Sequence, residues 1–162
     1  MSHLEGKPAP DGPAADIGRL CFLIARDLRT ALDRRLAEFD LRAQQAAVLM
    51  QCFRQPGASS SQLGAAVGTD TAGITGLIDQ LEQNRLVMRR TNLADRRAVI
   101  VELTKVGRAL LPKLHSVFQG VHNQLLAGCS TGEAAKLETL LDRLRQNIRG
   151  LLVERVDLRA ER

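Results

Sequence analysis

The stretch LVMRRTNLADRRAVIVELT, residues 86–104, decides the fold of this chain because its apolar spacing differs from that of the segments around it. Its two ends, LVMRRT and AVIVEL, are short and rich in apolar and β-branched residues, whereas NLADRR between them is polar. This pattern is typical of two strands joined by a loop. It predicts a β-hairpin in a chain whose other apolar residues recur at the three- and four-residue spacing of helices.

Two short helices are predicted directly before the hairpin. In SSSQLGAAVG, residues 59–68, the serines can cap the start of a helix, and Gly68 suits the left-handed position at its end. Thr69 or Asp70 can cap the next helix, whose apolar stripe consists of Ile74, Leu77, Ile78 and Leu81. Two short helices separated by a few residues around a glycine are a helix-turn-helix candidate, and the hairpin after them predicts the winged form.

Long amphipathic helices flank this central block. One runs from about Ala15 to Phe39, and two more follow the hairpin, capped by Thr104 and by Ser130 or Thr131. Their apolar stripes exceed what one small domain could cover, so we expect them to be buried across a dimer interface. The predicted fold is mainly α with a small β-hairpin wing: a winged helix-turn-helix with N- and C-terminal dimerisation helices. The predicted regions are a flexible N-terminal tail over residues 1–14, a helical dimerisation region over 15–40 and 105–155, and a DNA-binding domain over 41–104.

The composition favours duplex DNA as a partner. The chain has 162 residues, a formal net charge of +5 and a sequence pI near 9.7, which suit a polyanionic partner. Aromatic residues are only 2% of the chain, with no Tyr or Trp, so the usual stacking platforms for single strands are missing. The longest apolar run, Leu20 to Ala25, is far below the ~20 residues that span a bilayer. We therefore expect a cytoplasmic protein with no membrane partner.

No catalytic, cofactor or metal motif is present in the sequence. It lacks GxGxxG, GxxxxGK[ST], HExxH and CxxC, so we expect no enzyme and no cofactor. His115, His122 and Cys129 recur at seven-residue steps along one predicted helix. Seven helical residues rise about 10.5 Å, whereas zinc ligands lie about 2 Å from their ion, so these three cannot share one metal within that helix. We expect no metal site.

The chain resembles the MarR family of bacterial transcriptional regulators. The resemblance rests on GASSSQLGAAVGTDTAGIT, GLIDQLEQNRLVMRR, the wing DRRAVIVELT and the following TKVG, together with the order of the helices. It implies a homodimer that binds a pseudo-palindromic duplex operator, usually as a repressor, and whose DNA affinity is changed by a small molecule or by oxidation.

The resemblance also implies which residues meet DNA. The helix from Thr71 to Gln83 would be the recognition helix, and the helix before it would touch phosphates. The expected DNA contacts are Ser59, Ser60, Ser61, Gln62, Thr71, Ala72, Gly73, Thr75, Gly76, Arg89, Arg96 and Arg97. Asp95 would steady the wing loop and Asp79 would pair with Arg97, although in other relatives the arginine at this place enters the groove itself. Gly76 stands where many relatives carry an arginine, so we expect readout by threonines, close backbone approach and DNA shape.

Two kinds of signal are compatible with such a regulator. An effector pocket between the first helix, the second helix and the helix after the wing would be lined by Cys21, Ile24, Leu28, Met50 and Phe53. Alternatively, Cys21 and Cys129 resemble the cysteine pair of the family's organic-hydroperoxide sensors, although the tyrosines of those sensors have no counterpart in this chain. Cys52 completes an odd number of cysteines, which fits no disulfide framework.

A function of another class is also compatible with the pattern. The same winged helix could be a protein-interaction module without DNA binding. Salt dependence separates the two hypotheses, because DNA affinity falls steeply with salt in proportion to the phosphates contacted.

Overall fold

The computed structural model describes the backbone of residues 13–91 and 99–160, and the side chains of residues 16–91 and 99–150. Its elements are α1 (Pro13–Leu36), a 3-10 turn (Ala37–Phe39), α2 (Ala43–Arg54), α3 (Ser60–Val67), α4 (Thr71–Gln83), β1 (Val87–Thr91), β2 (Val99–Leu103), α5 (Lys105–Leu125) and α6 (Thr131–Ala160). The two strands pair antiparallel, from Val87 opposite Leu103 to Thr91 opposite Val99. The predicted fold class, helices with a small β-hairpin, is confirmed.

Helix bounds differ from the sequence prediction at three places. α1 begins at Pro13, inside the stretch predicted to be a tail, and proline suits the first position of a helix because its missing N–H has no intrahelical partner there. α1 ends at Leu36, and a 3-10 turn follows that Asp40 closes in the left-handed region at φ 54°. α6 continues to Ala160, beyond the predicted end near 155. Residues 1–12 lie outside the described part of the chain.

The helix-turn-helix forms as its local sequence predicts. Ser59 and Gln62 make a capping box: the Ser59 hydroxyl accepts from the Gln62 N–H at 3.3 Å, and the Gln62 side chain accepts from the Ser59 N–H at 2.8 Å. Gly68 ends α3 at φ 71°, in the left-handed conformation that glycine adopts without steric penalty. Asp70 then caps α4 by accepting from the Gly73 N–H at 2.8 Å. These caps set the bounds of both short helices.

The hairpin is joined to the start of α3. The Val101 N–H donates to the Ala58 carbonyl at 3.0 Å, and Ser59 forms an isolated antiparallel bridge with Ile100. β2 therefore has a partner on each side: β1 along its length and the loop before α3 at one point. This contact fixes where the hairpin lies relative to the helix-turn-helix.

The chain divides into two compact units, residues 1–121 and 122–162. In the first unit the helices and the hairpin enclose a continuous apolar core. Its largest fully buried side chains are Leu36, Leu49, Leu63, Ile74, Ile78, Leu81, Leu114, Val48, Val87 and Val101. Burial of a leucine-sized side chain stabilises a fold by roughly 1.5–3 kcal/mol, so this core accounts for much of the unit's stability.

The start of α5 is locked onto the end of α4 and the start of β1. The Thr104 hydroxyl donates to the Arg85 carbonyl at 2.6 Å, and its oxygen accepts from the Gly107 N–H at 3.0 Å, which caps α5 as predicted. Arg85 has φ 57°, so the chain reverses there in the left-handed region. A β-carbon at Gly107 would collide with the Leu86 carbonyl oxygen, so only glycine allows this approach. The Leu-Thr-x-x-Gly pattern is thus explained by a helix junction.

Large apolar side chains are exposed on α1 and on α6. On α1, Ile17, Leu20, Phe22 and Ile24 are exposed, with 82% of Phe22 accessible. On α6, Leu137, Leu140, Leu141, Leu144 and Ile148 are exposed at the spacing of one helical stripe. Among the helices described, none is long and apolar enough to span a membrane. Each stripe is an apolar surface that this single chain leaves uncovered.

Candidate nucleic-acid interface

Helix α4, the predicted recognition helix, has a buried face and an exposed face. Ile74, Ile78 and Leu81 are buried, so the opposite side of the helix is left to solvent. The residues predicted to face the groove are exposed, apart from the half-buried Gly73: Thr71, Ala72, Thr75 and Gly76. The Thr75 hydroxyl donates back to the Thr71 carbonyl at 2.8 Å, so its oxygen and methyl group remain available outward. The exposed residues on the first two turns of α4 are therefore all small.

The two glycines of this face have different physical roles. A β-carbon at Gly73 would collide with the Thr69 hydroxyl oxygen, so a larger residue there requires the Thr69 side chain to move. A β-carbon at Gly76 would meet nothing within 4 Å. The fold therefore does not require a glycine at position 76, and its effect there is to remove a side chain from the exposed surface.

Arg89 of β1 joins the hairpin to one flank of α4. Its guanidinium donates to Asp79 Oδ1 and to Glu82 Oε2, both at 2.6 Å, and its backbone N–H donates to Glu82 Oε1 at 2.9 Å. The backbone and side-chain hydrogen bonds from Arg89 lower the pKa of Glu82. Bonds from charged partners are shorter and stronger than neutral ones, so this cluster is a well-defined tie between hairpin and helix.

The same cluster bears on two predictions for this flank. Among the described residues the ion-pair partner of Asp79 is Arg89. The expected partner, Arg97 of the wing, lies outside the described residues, so that pairing stays a prediction. Arg89, predicted as a DNA contact, has its guanidinium held by two carboxylates. Sequence reasoning missed Glu82, although its position three residues after Asp79 places both carboxylates on one side of a helix.

The first turn of α3 presents the predicted serines at an exposed helix start. Ser59 and Gln62 are engaged in the capping box, and the Ser61 hydroxyl lies 3.0 Å from that of Ser59. Ser61 and Gln62 are exposed, while Ser59 and Ser60 are half-buried. The start of a helix carries partial positive charge and unpaired N–H groups, which suit a phosphate.

The wing predictions at Asp95, Arg96 and Arg97 lie outside the described residues. The strands on either side are described, so the segment leaves β1 after Thr91 and returns at Val99. The roles of these three residues therefore stay predictions from the sequence.

The five predicted effector-pocket residues differ in exposure. Cys21, Ile24 and Phe53 are exposed, while Leu28 and Met50 pack partly buried against the core. A cleft of about 430 Å³ lies elsewhere in the first unit, lined by Asp33, Ala37, Asp40, Leu41, Arg42, Gln45 and Gln80. A second cleft, of about 670 Å³, lies within residues 122–145 between the end of α5 and α6. Neither is lined by any of the five.

The cysteines differ in accessibility. Cys21 and Cys129 are exposed, whereas Cys52 is buried, and that burial raises the pKa of its thiol to about 11. Cys52 is therefore protonated and shielded at neutral pH. No group of three His, Cys, Asp or Glu side chains that could hold a metal occurs among the side chains the structure describes.

Comparisons with known proteins agree with this geometry. The model of the MarR family matches residues 41–99. Wild-type MarR from E. coli, in its apo form, is 29% identical over 79% of this chain and 96% of its own, with a TM-score of 0.67. A cysteine-to-serine mutant of E. coli MarR, complexed with operator DNA, is 27% identical over 81% of this chain and 94% of its own, with a TM-score of 0.74.

A third structure shares the fold. BpsR of Bordetella bronchiseptica, whose DNA binding is regulated by 6-hydroxynicotinic acid, is 24% identical over 85% of this chain and 98% of its own, with a TM-score of 0.75. Members of the matched family are transcription regulators and not enzymes. From the family match, the shared fold and the likeness to an operator-bound relative, we conclude that the chain carries a MarR-family domain over residues 41–99 and is a DNA-binding transcription regulator.

Proposed function

We propose that this protein is a homodimeric repressor that binds a pseudo-palindromic duplex operator and releases it when a small molecule binds. The observation that carries the proposal is the division of α4 into a buried apolar face and an exposed face of Thr71, Ala72, Thr75 and Gly76, beside a hairpin that Arg89 holds to the same helix. Such an arrangement presents one helix for a major groove and a wing for the adjoining backbone. As a regulator of a bacterial operator, it would act in the cytoplasm.

The proposed readout depends on a close approach of α4 to the bases. On the first two turns of α4 the exposed residues are only threonine, alanine and glycine, so no side chain there could make a two-pronged contact to guanine or adenine. Threonine methyl groups can contact thymine methyls, and the Thr75 oxygen can accept a hydrogen bond from a base. Sequence-dependent DNA shape then supplies the remaining specificity.

Positive charge for the phosphates comes from the wing and the helix starts. We assign Arg96 and Arg97 to the minor groove or its phosphates, where narrow A·T-rich stretches attract guanidinium groups, and Asp95 to steadying the loop. The first turn of α3, with Ser60 and Ser61, meets a phosphate. Arg89 has the supporting role of holding the hairpin, because both sides of its guanidinium are already engaged by carboxylates.

The homodimer is supported by the exposed apolar stripes on α1 and α6. Apolar surface removed from water contributes about 25 cal/mol per Å², so these uncovered leucines, isoleucines and Phe22 favour association. A two-fold dimer places two copies of α4 on half-sites one helical turn of DNA apart. This symmetry requires a pseudo-palindromic operator.

The effector response is proposed from the shared fold with BpsR, whose DNA binding responds to a small aromatic acid. We assign the pocket to Cys21, Ile24, Leu28, Met50 and Phe53, because its exposed members lack an apolar cover in one chain and would gain one in a dimer. A screen for compounds that raise the melting temperature and release the bound DNA tests this assignment. Compounds that change neither quantity would leave it without support.

Oxidation is the second candidate signal, and the exposure of Cys21 and Cys129 favours it. A peroxide-reactive thiol must be accessible, and Cys52 fails that condition. Treatment with an organic hydroperoxide should then give a crosslinked dimer on a non-reducing gel, and Cys21→Ser should abolish it. If no crosslinked dimer forms after the treatment, the proposal that oxidation is the signal is wrong.

The proposed function is tested by letting the purified protein select duplexes from a random-sequence pool. We expect enrichment of a pseudo-palindrome, bound by a dimer. If no duplex is enriched even at low salt, the chain is a protein-interaction module instead of an operator-binding regulator.

A further inference from the structure

A buried amide side chain connects α2 to the recognition helix. Gln45 is 7% exposed and is the one buried polar side chain of the described core. Its Oε1 accepts from the backbone N–H of Arg42 at 2.8 Å, and its Nε2 donates to Oε1 of Gln80 in α4 at 2.9 Å. The oxygen and the nitrogen of the Gln45 amide each have one hydrogen-bond partner, so both atoms of the amide are fixed in place.

The direction of this hydrogen-bond chain follows from chemistry. The Arg42 backbone N–H can only donate, so the Gln45 oxygen must face it and the Gln45 amino group must face Gln80. Gln80 in turn must present its oxygen to Gln45. Both hydrogen bonds are therefore donated in the same direction, from Arg42 to Gln45 and from Gln45 to Gln80.

The start of α2 is itself anchored to α1. The Ala43 N–H donates to Asp33 Oδ1 at 2.7 Å, across ten residues of sequence, and Asp33 Oδ2 lies 3.8 Å from the Arg42 guanidinium. The first turn of α2, from which Gln45 reaches Gln80, is thus fixed to the long helix before it. The backbone that carries Gln45 is therefore fixed in position where its side chain binds Gln80 of α4.

The two polar contacts of α4 lie on opposite flanks. Successive helical residues are about 100° apart, so Gln80 lies on one side of the exposed face and Glu82, bound to Arg89, lies on the other. The buried stripe of Ile74, Ile78 and Leu81 is non-directional apolar packing, which tolerates small rotations of the helix. Hydrogen bonds on both flanks restrict rotation about the helix axis.

We infer that Gln45 is a positioning residue for operator recognition: through Gln80 it sets the rotation of α4, and with it the angle at which Thr75 and Gly76 face the bases. This inference rests on the proposed function. Because the exposed residues on the first two turns of α4 are only threonine, alanine and glycine, a small rotation moves the backbone and the threonines together and cannot be corrected by a change of rotamer. Gln45 itself is buried and touches no DNA.

Three variants separate positioning from stability. Gln80→Leu removes the acceptor and leaves a buried amino group of Gln45 unpaired, so it should lower both the melting temperature and operator affinity. Gln45→Leu removes the donor. In the double variant both side chains of the Gln45–Gln80 pair are apolar and only the Arg42 N–H loses its acceptor, so part of the melting temperature lost in Gln80→Leu should return. Gln44→Leu on the same helix is the matched control, since the Gln44 side chain makes no hydrogen bond within the described residues.

The readout is the affinity for the duplex selected by the wild-type protein, compared with a scrambled duplex at the same salt. We expect each single variant and the double variant to lose about three- to tenfold in affinity for the selected duplex, the worth of one hydrogen bond, while affinity for the scrambled duplex is unchanged. Recovery of the melting temperature in the double variant without recovery of selected-duplex affinity supports positioning.

Two outcomes contradict the inference, and they are distinguishable. If selected-duplex affinity follows the melting temperature and returns in the double variant, or if no variant differs from Gln44→Leu, Gln45 is a stability residue only. If the wild-type protein selects no duplex, the proposed function fails and the inference fails with it.

Discussion

Single residues in this protein show how close packing limits what a position can hold. Gly107 and Gly76 both lie inside helices, yet a β-carbon would strike the Leu86 carbonyl at the first and meet empty space at the second. Intrinsic helix propensity is the same at both positions, so the surroundings alone decide the effect of a substitution. The two glycines form a natural matched pair.

We expect Gly107→Ala to destabilise the fold by about 1–3 kcal/mol, because the start of α5 must shift away from Leu86. Gly76→Ala should instead stabilise it by about 0.5–1 kcal/mol, since alanine loses less backbone freedom than glycine in a helix. Chemical unfolding of both variants measures the difference. Equal effects of the two substitutions would show that α5 does not pack closely on Leu86.

The Glu82 carboxylate makes the stability of the fold depend on pH. Its pKa is lowered from an ordinary 4.5 by the hydrogen bonds from Arg89. A carboxylate whose pKa is lower in the folded than in the unfolded state stabilises the fold at every pH above its unfolded pKa. This stabilisation is lost as the pH falls below 4.5 and through the pKa of the folded state. At neutral pH the net contribution is small because Glu82 is 39% exposed.

The free energy of unfolding, measured between pH 7 and pH 3, tests this direction of the pH dependence. Glu82→Gln keeps an oxygen for the Arg89 N–H and removes the charge, so its stability should fall less steeply below pH 4.5 than that of the wild type. Glu38→Gln, at an exposed carboxylate with no ion pair among the described side chains, should follow the wild-type curve. Parallel curves for wild type and Glu82→Gln would contradict the assigned role of the ion pair.

At the scale of elements, the sequence predicted most of the fold because its signals are local. Serine and aspartate caps, Gly68 and the change of apolar spacing after Arg85 mark the ends of α3, α4 and the strands, and the structure confirms them. The end of α1 at Leu36 carried no such signal, because the apolar stripe continues through the 3-10 turn to Phe39.

Contacts between elements were less predictable, because a hydrogen bond between residues far apart in the chain produces no periodic pattern in the sequence. The Gln45–Gln80 bond joins residues 35 apart, and the ion pair between Asp79 and Arg89 was not predicted. One signal for Gln45 does exist: it interrupts the otherwise apolar inward face of α2 formed by Ala46, Leu49 and Cys52. A polar residue at such a position has to find a partner.

The apolar stripe of α6 predicts how the chain assembles. Leu144 belongs to the stripe, while Gln146, two residues later, lies on the opposite side and donates to Asp142 at 2.8 Å. We expect Leu144→Lys to shift the protein toward monomer, because a buried unpaired charge is costly in an interface. Gln146→Lys adds the same charge beside Asp142 and should leave the dimer intact.

Sedimentation equilibrium measures the assembly of both variants. A monomeric wild type would contradict the proposed dimer. Equal dissociation of Leu144→Lys and Gln146→Lys would place the interface on another surface.

At the scale of the whole molecule, the proposed recognition helix α4 exposes only small residues on its first two turns and is held by hydrogen bonds to Gln45 and to Arg89. We propose that the specificity of the protein depends on where the scaffold places α4 and that its affinity depends on the positive charges of the wing. The wing arginines supply those charges, so Arg97→Ala should weaken binding to the selected duplex by at least about tenfold, or 1.4 kcal/mol. Removing an arginine that binds a phosphate also reduces the dependence of affinity on salt.

The central claim is that a homodimer of this chain recognises a duplex operator through α4 and the wing, and the salt dependence of its DNA affinity tests it most directly. Dissociation constants for the selected and scrambled duplexes should be measured from low to moderate salt, for wild type and Arg97→Ala. We expect the selected duplex to bind more tightly throughout, with affinity falling steeply as salt rises, and Arg97→Ala to reduce that slope by about two, one phosphate per subunit. Equal affinity for both duplexes, or a slope unchanged by Arg97→Ala, would contradict the account.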